Sequence, residues 1–164
     1  MIGQQVVYER LKSLNISFDY YEHPPVPTIE EAKKYFRGEE TTLCKNLFFR
    51  NHKGSKHYLV LLRSDSDLRI HQLEKYLKEG KLTFSSEHRM EKYLGVKPGS
   101  VSLFGLVNDK EHHVYVFIDK KLSEAKYLSF HPNDNRASLV ISQIDFRKFL
   151  SDSGNGYEFI DMME

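Results

Sequence analysis

The sequence predicts an α+β fold: a single domain over residues 1–164 with a central mixed β-sheet flanked by helices. Two observations carry that reading. Apolar runs such as Leu43-Cys44-Lys45-Asn46-Leu47-Phe48-Phe49 and Tyr58-Leu59-Val60-Leu61-Leu62 have the length and residue types of strands. Elsewhere apolar residues recur at helical spacing, with helical patterns early and hairpins in the middle of the chain. At 164 residues the chain is long enough to bury one sizeable core. No internal repeat, linker or low-complexity segment divides it.

Val6, Val7, Tyr8, Leu11 and Leu14 predict a first helix ending near Leu14, with Asn15 after it. Phe18-Asp19-Tyr20-Tyr21-Glu22-His23 reads as a short strand stopped by Pro24-Pro25-Val26-Pro27. Thr28 and Glu31 have capping-box spacing, so a helix is expected from about Ile29 to Phe36, closed by Gly38. The strand carrying Lys45 then meets Tyr58–Leu62 across Asn51-His52-Lys53-Gly54-Ser55, a hairpin signal. Helical patterns follow at Ile70–Leu77 and Ser86–Leu94, separated by the strand-like Leu82-Thr83-Phe84. Val114–Asp119, Tyr127–Phe130 and Ala137–Ile141 are further strands, and Ser142 caps a last helix running to Leu150.

Composition excludes several classes of function. Hydrophobic residues at 40% and charged residues at 29% fit an ordinary globular protein, and no apolar run approaches a membrane span. The first residues lack a signal-peptide core, and a lone cysteine, Cys44, rules out an internal disulfide framework; together these favour a cytoplasmic location. A net charge of +1 is not that of a protein that coats nucleic acid, although it allows weak, salt-sensitive capture of one RNA end.

Lys45 is the most informative residue. Strand alternation places it on one face with Leu43, Leu47 and Phe49, where an apolar side chain is the norm. An unpaired buried ammonium costs several kcal/mol, so such a lysine is expected to reach a cleft and meet an anion there. Alternatively it snorkels to the rim or pairs with an acid. Cys44 alternates to the other face and reads as packed.

Two further segments stand out. Phe130-His131-Pro132-Asn133-Asp134-Asn135 ends a strand in a turn crowded with a histidine and Asx residues, which alone is also the composition of a plain turn. Gly95-Val96-Lys97-Pro98-Gly99-Ser100-Val101-Ser102 can present backbone N–H groups to an anion or a polarised carbonyl, or can simply cap a helix. The basic residues Lys33, Lys34 and Arg37 read as a solvated helix face. The eight histidines lack zinc spacing, His112 and His113 would point to opposite faces of a strand, and Asp65-Ser66-Asp67 lacks the glycine and distal glutamate of a calcium loop. There is no phosphate-binding P-loop and no GxSxG elbow. No metal or cofactor is expected.

Taken in order, Glu22-His23-Pro24-Pro25, Cys44-Lys45-Asn46-Leu47-Phe48, Lys97-Pro98-Gly99-Ser100-Val101 and Phe130-His131-Pro132-Asn133-Asp134-Asn135 resemble the YbaK-like superfamily of aminoacyl-tRNA editing domains. The likeness is greatest to the freestanding PrdX-type proteins that deacylate alanyl-tRNA(Pro). The resemblance implies that fold, and hydrolysis of the ester joining alanine to the terminal adenosine of mischarged proline tRNA. A synthetase pocket built for proline cannot exclude alanine by size, so a second, smaller site corrects the error. The implied partner is the aminoacylated 3′ acceptor end of tRNA, with room for prolyl-tRNA synthetase beside it. The rival readings are a cysteinyl- or seryl-tRNA deacylase of the same fold, a non-catalytic sensor of aminoacyl-tRNA or amino acid, and an interaction domain with a structural lysine.

The resemblance also assigns roles. It makes Lys45 the critical residue, acting electrostatically on the terminal nucleotide or aminoacyl group, with a neighbouring 2′-hydroxyl positioning the attacking water. Gly99 belongs to the loop whose backbone amides face the scissile carbonyl, and His131 lines the amino-acid pocket. Asn46, Ser100, Val101, Ser102, Phe130, Asn133 and Asn135 are expected to bind substrate. Pro25, Val26, Thr28 and Ala32 are expected to form the wall that measures side-chain size. The chain departs from the family pattern at Leu103, where the loop normally ends in proline, at Arg136 in place of threonine, and at Gly156-Tyr157-Glu158-Phe159-Ile160. Leu103 is expected to loosen the loop, because a proline would restrain its backbone.

Overall fold

The computed structural model of the chain describes residues 1–25 and 40–161, and its axis is β2 (Thr41–Arg50). Around it lie β1 (Asp19–Glu22), β3 (His57–Arg63), β4 (Thr83–Phe84), β5 (Tyr115–Asp119), β6 (Tyr127–Phe130), β7 (Ala137–Ser142) and β8 (Tyr157–Ile160). These form one mixed sheet in the order β1-β7-β6-β2-β3-β5-β8, with β4 paired to β2. β2 pairs antiparallel with β3 and β4 but parallel with β6, and β3/β5 and β5/β8 are also parallel. The α+β class with a mixed sheet is what the sequence predicts.

β3 is buried on both faces, which is why its sequence runs apolar without alternation. Leu59 and Leu61 join the larger core with Phe48, Val116, Ile118 and Leu128, packed under α1 (Gln5–Ser13) and α4 (Gln143–Ser153). Tyr58, Val60 and Leu62 face the other way, with Phe49, Phe117 and Leu73 of α2 (Ile70–Leu77). Cys44 is half-buried and packs against the larger core, and burial pushes its thiol up to about 12. α3 (Glu87–Leu94) starts at Ser86, whose hydroxyl accepts from the Arg89 N–H at 3.3 Å, and ends at the left-handed Gly95. Ser142 caps α4 in the same way, accepting from Asp145 at 3.2 Å.

Several details differ from the sequence reading. Two 3₁₀ segments, Leu103–Asn108 and Lys120–Glu124, and the strand β8 were not anticipated. Val6 is exposed on α1. His112 and His113 lie in a turn rather than a strand, because the Asp109 carboxylate accepts from the His113 and Val114 N–H groups, and His112 takes a left-handed φ of 55°. The expected helix at 29–36, Gly38, and the residues Val26, Thr28, Ala32, Lys33, Lys34 and Arg37 fall outside the described residues. No helix among the described residues is long and apolar enough to cross a membrane.

Candidate active site

The sheet is interrupted beside Lys45. On the flank of β2 opposite β3, β6 pairs with Thr41–Leu43 and β4 pairs with Phe49 and Arg50. Between them, no described strand pairs with Cys44–Phe48 on that flank. β6 cannot continue alongside, since its chain turns away at His131 into Pro132, which has no N–H to donate. At the far end the Ser85 N–H binds the Phe48 carbonyl at 2.9 Å and closes the gap. The opening is a cleft of about 300 Å³ lined by Cys44–Phe48, Phe84, Met90, Gly99, Val101 and His131.

Lys45 reaches this cleft, but not as an unpaired buried charge. Its side chain is 35% exposed and its Nζ lies 3.8 Å from Oδ1 of Asp67, which is itself 87% exposed. The sequence expectation of an isolated ammonium is therefore corrected. Lys45 pairs with Leu62 in the hairpin register, so the acidic segment just past Arg63 returns beside it. A contact this long and this exposed is weak, and it leaves the ammonium free to exchange partners.

The loop across the cleft is held to β2 by a bond that a proline could not make. The Leu103 N–H donates to Asn46 Oδ1 at 2.9 Å, and Leu103 itself is fully buried. The residue that departs from the family pattern thus gains an anchor one position from Lys45, which corrects the expectation of a loosened loop. Ser102 adds a second tie, its hydroxyl donating to the His131 carbonyl at 2.6 Å and accepting from the Phe104 N–H at 3.1 Å. Gly99 has φ +84°, and a Cβ there would stand 3.2 Å from Asn135 Nδ2. Among the described residues, no group accepts from the N–H of Gly99 or Val101, whereas the Ser100 N–H is used by the Lys97 carbonyl at 3.0 Å. Two donors near a lysine are the ingredients of an oxyanion site.

His131 supplies the opposite wall. Its Nδ1 lies 2.8 Å from the Ala137 carbonyl, which can only accept, so the proton sits on Nδ1 and Nε2 carries the lone pair. Burial, opposed by that carbonyl and reinforced by nearby His23, pulls its pKa below the ordinary histidine value. His131 is therefore a neutral ring with one acceptor nitrogen.

The expected binding residues divide between two hollows. Lys45, Asn46, Gly99, Val101 and His131 share the cleft. Ser100, Asn133 and Asn135 instead line a second cavity of about 430 Å³ with Gln4, Lys97 and Arg136. Asn133 is buried there as a brace, its Nδ2 donating to Gln4 Oε1 at 2.9 Å. Arg136 closes the same turn, its Nη2 and Nε binding Asp134 at 2.8 and 3.0 Å. Phe130 and Ser102 do not reach either hollow: Phe130 is core, edge-on to Phe104 and stacked on Phe146, and Ser102 is fully buried. Pro25 is exposed and is not among the cleft-lining residues. The sequence reading overlooked Asp67, Met90 and Phe84. The register of the hairpin was the available signal for Asp67, and for Phe84 it was an aromatic ending a very short strand.

The chain matches the aminoacyl-tRNA editing domain family over residues 23–149. It is 38% identical to the prolyl-tRNA editing protein ProX of Acetoanaerobium sticklandii, over 99% of both chains. It is 31% identical to prolyl-tRNA synthetase associated domain-containing protein 1 of Danio rerio, over 88% of this chain and 79% of that one. Among solved structures, a candidate trans-editing enzyme for prolyl tRNA synthetase superimposes with a TM-score of 0.71, covering 96% of this chain and 98% of that one at 16% identity.

Proposed function

The chain belongs to the aminoacyl-tRNA editing domain family, and we propose that it is a trans-acting deacylase that hydrolyses alanyl-tRNA(Pro). The observation that carries this reading is the interrupted sheet, which gathers a lysine, two backbone donors and a neutral histidine around one small opening. An aminoacyl ester placed there meets complementary groups at each polar point. Lys45 neutralises negative charge on the terminal nucleotide or the developing oxyanion, and the Gly99 and Val101 N–H groups donate to that same oxygen. Nε2 of His131 accepts from the substrate's α-amino group. Water adds to the carbonyl carbon, the bond to the ribose oxygen breaks, that oxygen leaves with one of the water's protons, and the other passes to solvent. A free carboxylate and a free tRNA 3′ end result. A neighbouring ribose hydroxyl, both donor and acceptor, orients the water. Among the described residues the cleft contains no side-chain pair arranged as nucleophile and base, so the chemistry proposed relies on positioning and electrostatics.

The partner is the 3′ end of an aminoacylated tRNA, and prolyl-tRNA synthetase, which produces the mischarged species, is the protein nearest to that substrate. Single-turnover hydrolysis of alanyl-, cysteinyl-, seryl- and prolyl-tRNA(Pro) tests the proposal. Rapid release of alanine with prolyl-tRNA(Pro) left intact is expected. Release of cysteine or serine in preference to alanine would reassign the substrate, and binding without any release would make the domain a sensor.

A further inference from the structure

Phe84 has no part in the chemistry above, yet it lines the same cleft as Lys45 and Gly99. It is 62% exposed, so the ring is accessible to a molecule that enters the cleft. One face of the ring is fixed, stacked on Phe49 with centroids 4.6 Å apart and planes at 27°. The register that pairs Phe84 with Phe49 puts it four residues along β2 from Lys45, about 13 Å at the strand rise. That span fits a ribose and one base laid across Leu47.

The charge around it is complementary to RNA. Residues 45–97 contain twelve Lys and Arg against six Asp and Glu, so the positive charge of a nearly neutral chain is concentrated in the stretch that carries Phe84. The β2–β3 turn and the loop between α2 and β4 are joined into one ridge, the His52 N–H binding the Glu79 carbonyl at 3.3 Å and Lys56 Nζ binding its carboxylate at 2.6 Å. Lys53, Lys78 and Lys81 belong to these same segments.

We propose that Phe84 is the platform on which the 3′-terminal nucleobase of the RNA stacks, while the adjoining basic ridge draws in the phosphates that precede it. The proposal rests on the reading of the cleft as an aminoacyl-RNA site. It specifies how the nucleoside is held, through an aromatic face that any base can use.

The chain contains no tryptophan, so Phe84→Trp places a single indole fluorophore at the platform. A short single-stranded RNA ending in CCA should quench it saturably, and the same RNA with an abasic terminal ribose should not. Phe84→Leu keeps apolar cover over Phe49 but removes the aromatic face. It should raise KM for the aminoacyl-RNA about 5- to 150-fold, with a smaller change in kcat. On an abasic substrate the Leu variant and the wild type should have equal KM. Indole emission indifferent to both RNAs, or a wild-type KM in Phe84→Leu, overturns the platform. Base-dependent quenching without hydrolysis by the wild type would instead overturn the editing reading and leave the platform standing.

Discussion

Lys45 and His57 lie on neighbouring strands of one hairpin, each an ionisable group where the strand pattern favours an apolar one, and the fold treats them in opposite ways. β3 closes around His57. The ring is 1% exposed, its Nε2 accepts from Arg89 Nη1 at 2.8 Å, and its Nδ1–H donates to His113 Nε2 at 2.8 Å. Tyr93 packs on both imidazoles, 4.2 Å from His57 and 4.4 Å from His113. Burial first, then His113 and Arg89, push the His57 pKa down to about 4. Lys45, on β2, meets a flank along which no described strand pairs and, among the described residues, the carboxylate of Asp67 at 3.8 Å. A polar residue in a sheet is therefore structural where its neighbours satisfy it, and available for chemistry where no described strand pairs beside it.

The sharpest way to break this comparison is to truncate both residues. Lys45→Ala should lower the single-turnover deacylation rate about 100- to 1000-fold, the cost of losing one electrostatic donor at a developing charge. Its melting temperature should stay near wild type, since the ion pair it loses among the described residues is a 3.8 Å exposed contact. Retained turnover would remove Lys45 from the site.

His57→Ala should do the reverse. Arg89 Nη1 would keep the Gly54 carbonyl at 2.9 Å, but His113 Nε2 would lose its donor and a cavity would open, which should cost about 2–4 kcal/mol in urea unfolding, with the rate preserved well below the melting temperature. The same residue sets a pH dependence. Its folded pKa lies below the unfolded value of 6.5, so above pH 6.5 both states hold it neutral and no stability is at stake. Between 6.5 and about 4 the unfolded chain takes the proton and the folded one does not, so stability should fall across that window. His131 is shifted in the same direction and adds to the slope. His57→Ala should flatten most of it, and an unchanged slope in urea midpoints would assign the effect elsewhere.

Much of the frame was legible because it is local. Lys45 in a strand follows from alternation, the hairpin from Asn51–Ser55, and the starts of α3 and α4 from Ser86 and Ser142. The gap was not legible, because it depends on where β6 parts from β2, and that pairing joins segments far apart in the chain. The His57 cluster was hidden for a similar reason. His113 reads as a strand residue until Asp109 captures two backbone N–H groups and turns the chain toward β3. The residues around His131 expected to bind substrate were named together from the sequence, but their division between two cavities depends on how Asn133 and Ser102 are buried.

The smallest effect probes the Asp67 restraint on Lys45. Asp67 holds the ammonium at 3.8 Å from a position 87% exposed, so a substrate anion entering the cleft must displace it. Exposed pairs contribute little, and the melting temperature of Asp67→Asn should match that of wild type. Removing the competitor should instead lower KM for aminoacyl-tRNA, by less than about fivefold, with kcat unchanged because the chemical step has the same groups around it. A lower kcat in Asp67→Asn would mean that the carboxylate orients Lys45 during the reaction. Lys45 would then be positioned by its neighbours much as His57 is, and the contrast between the two strands would narrow.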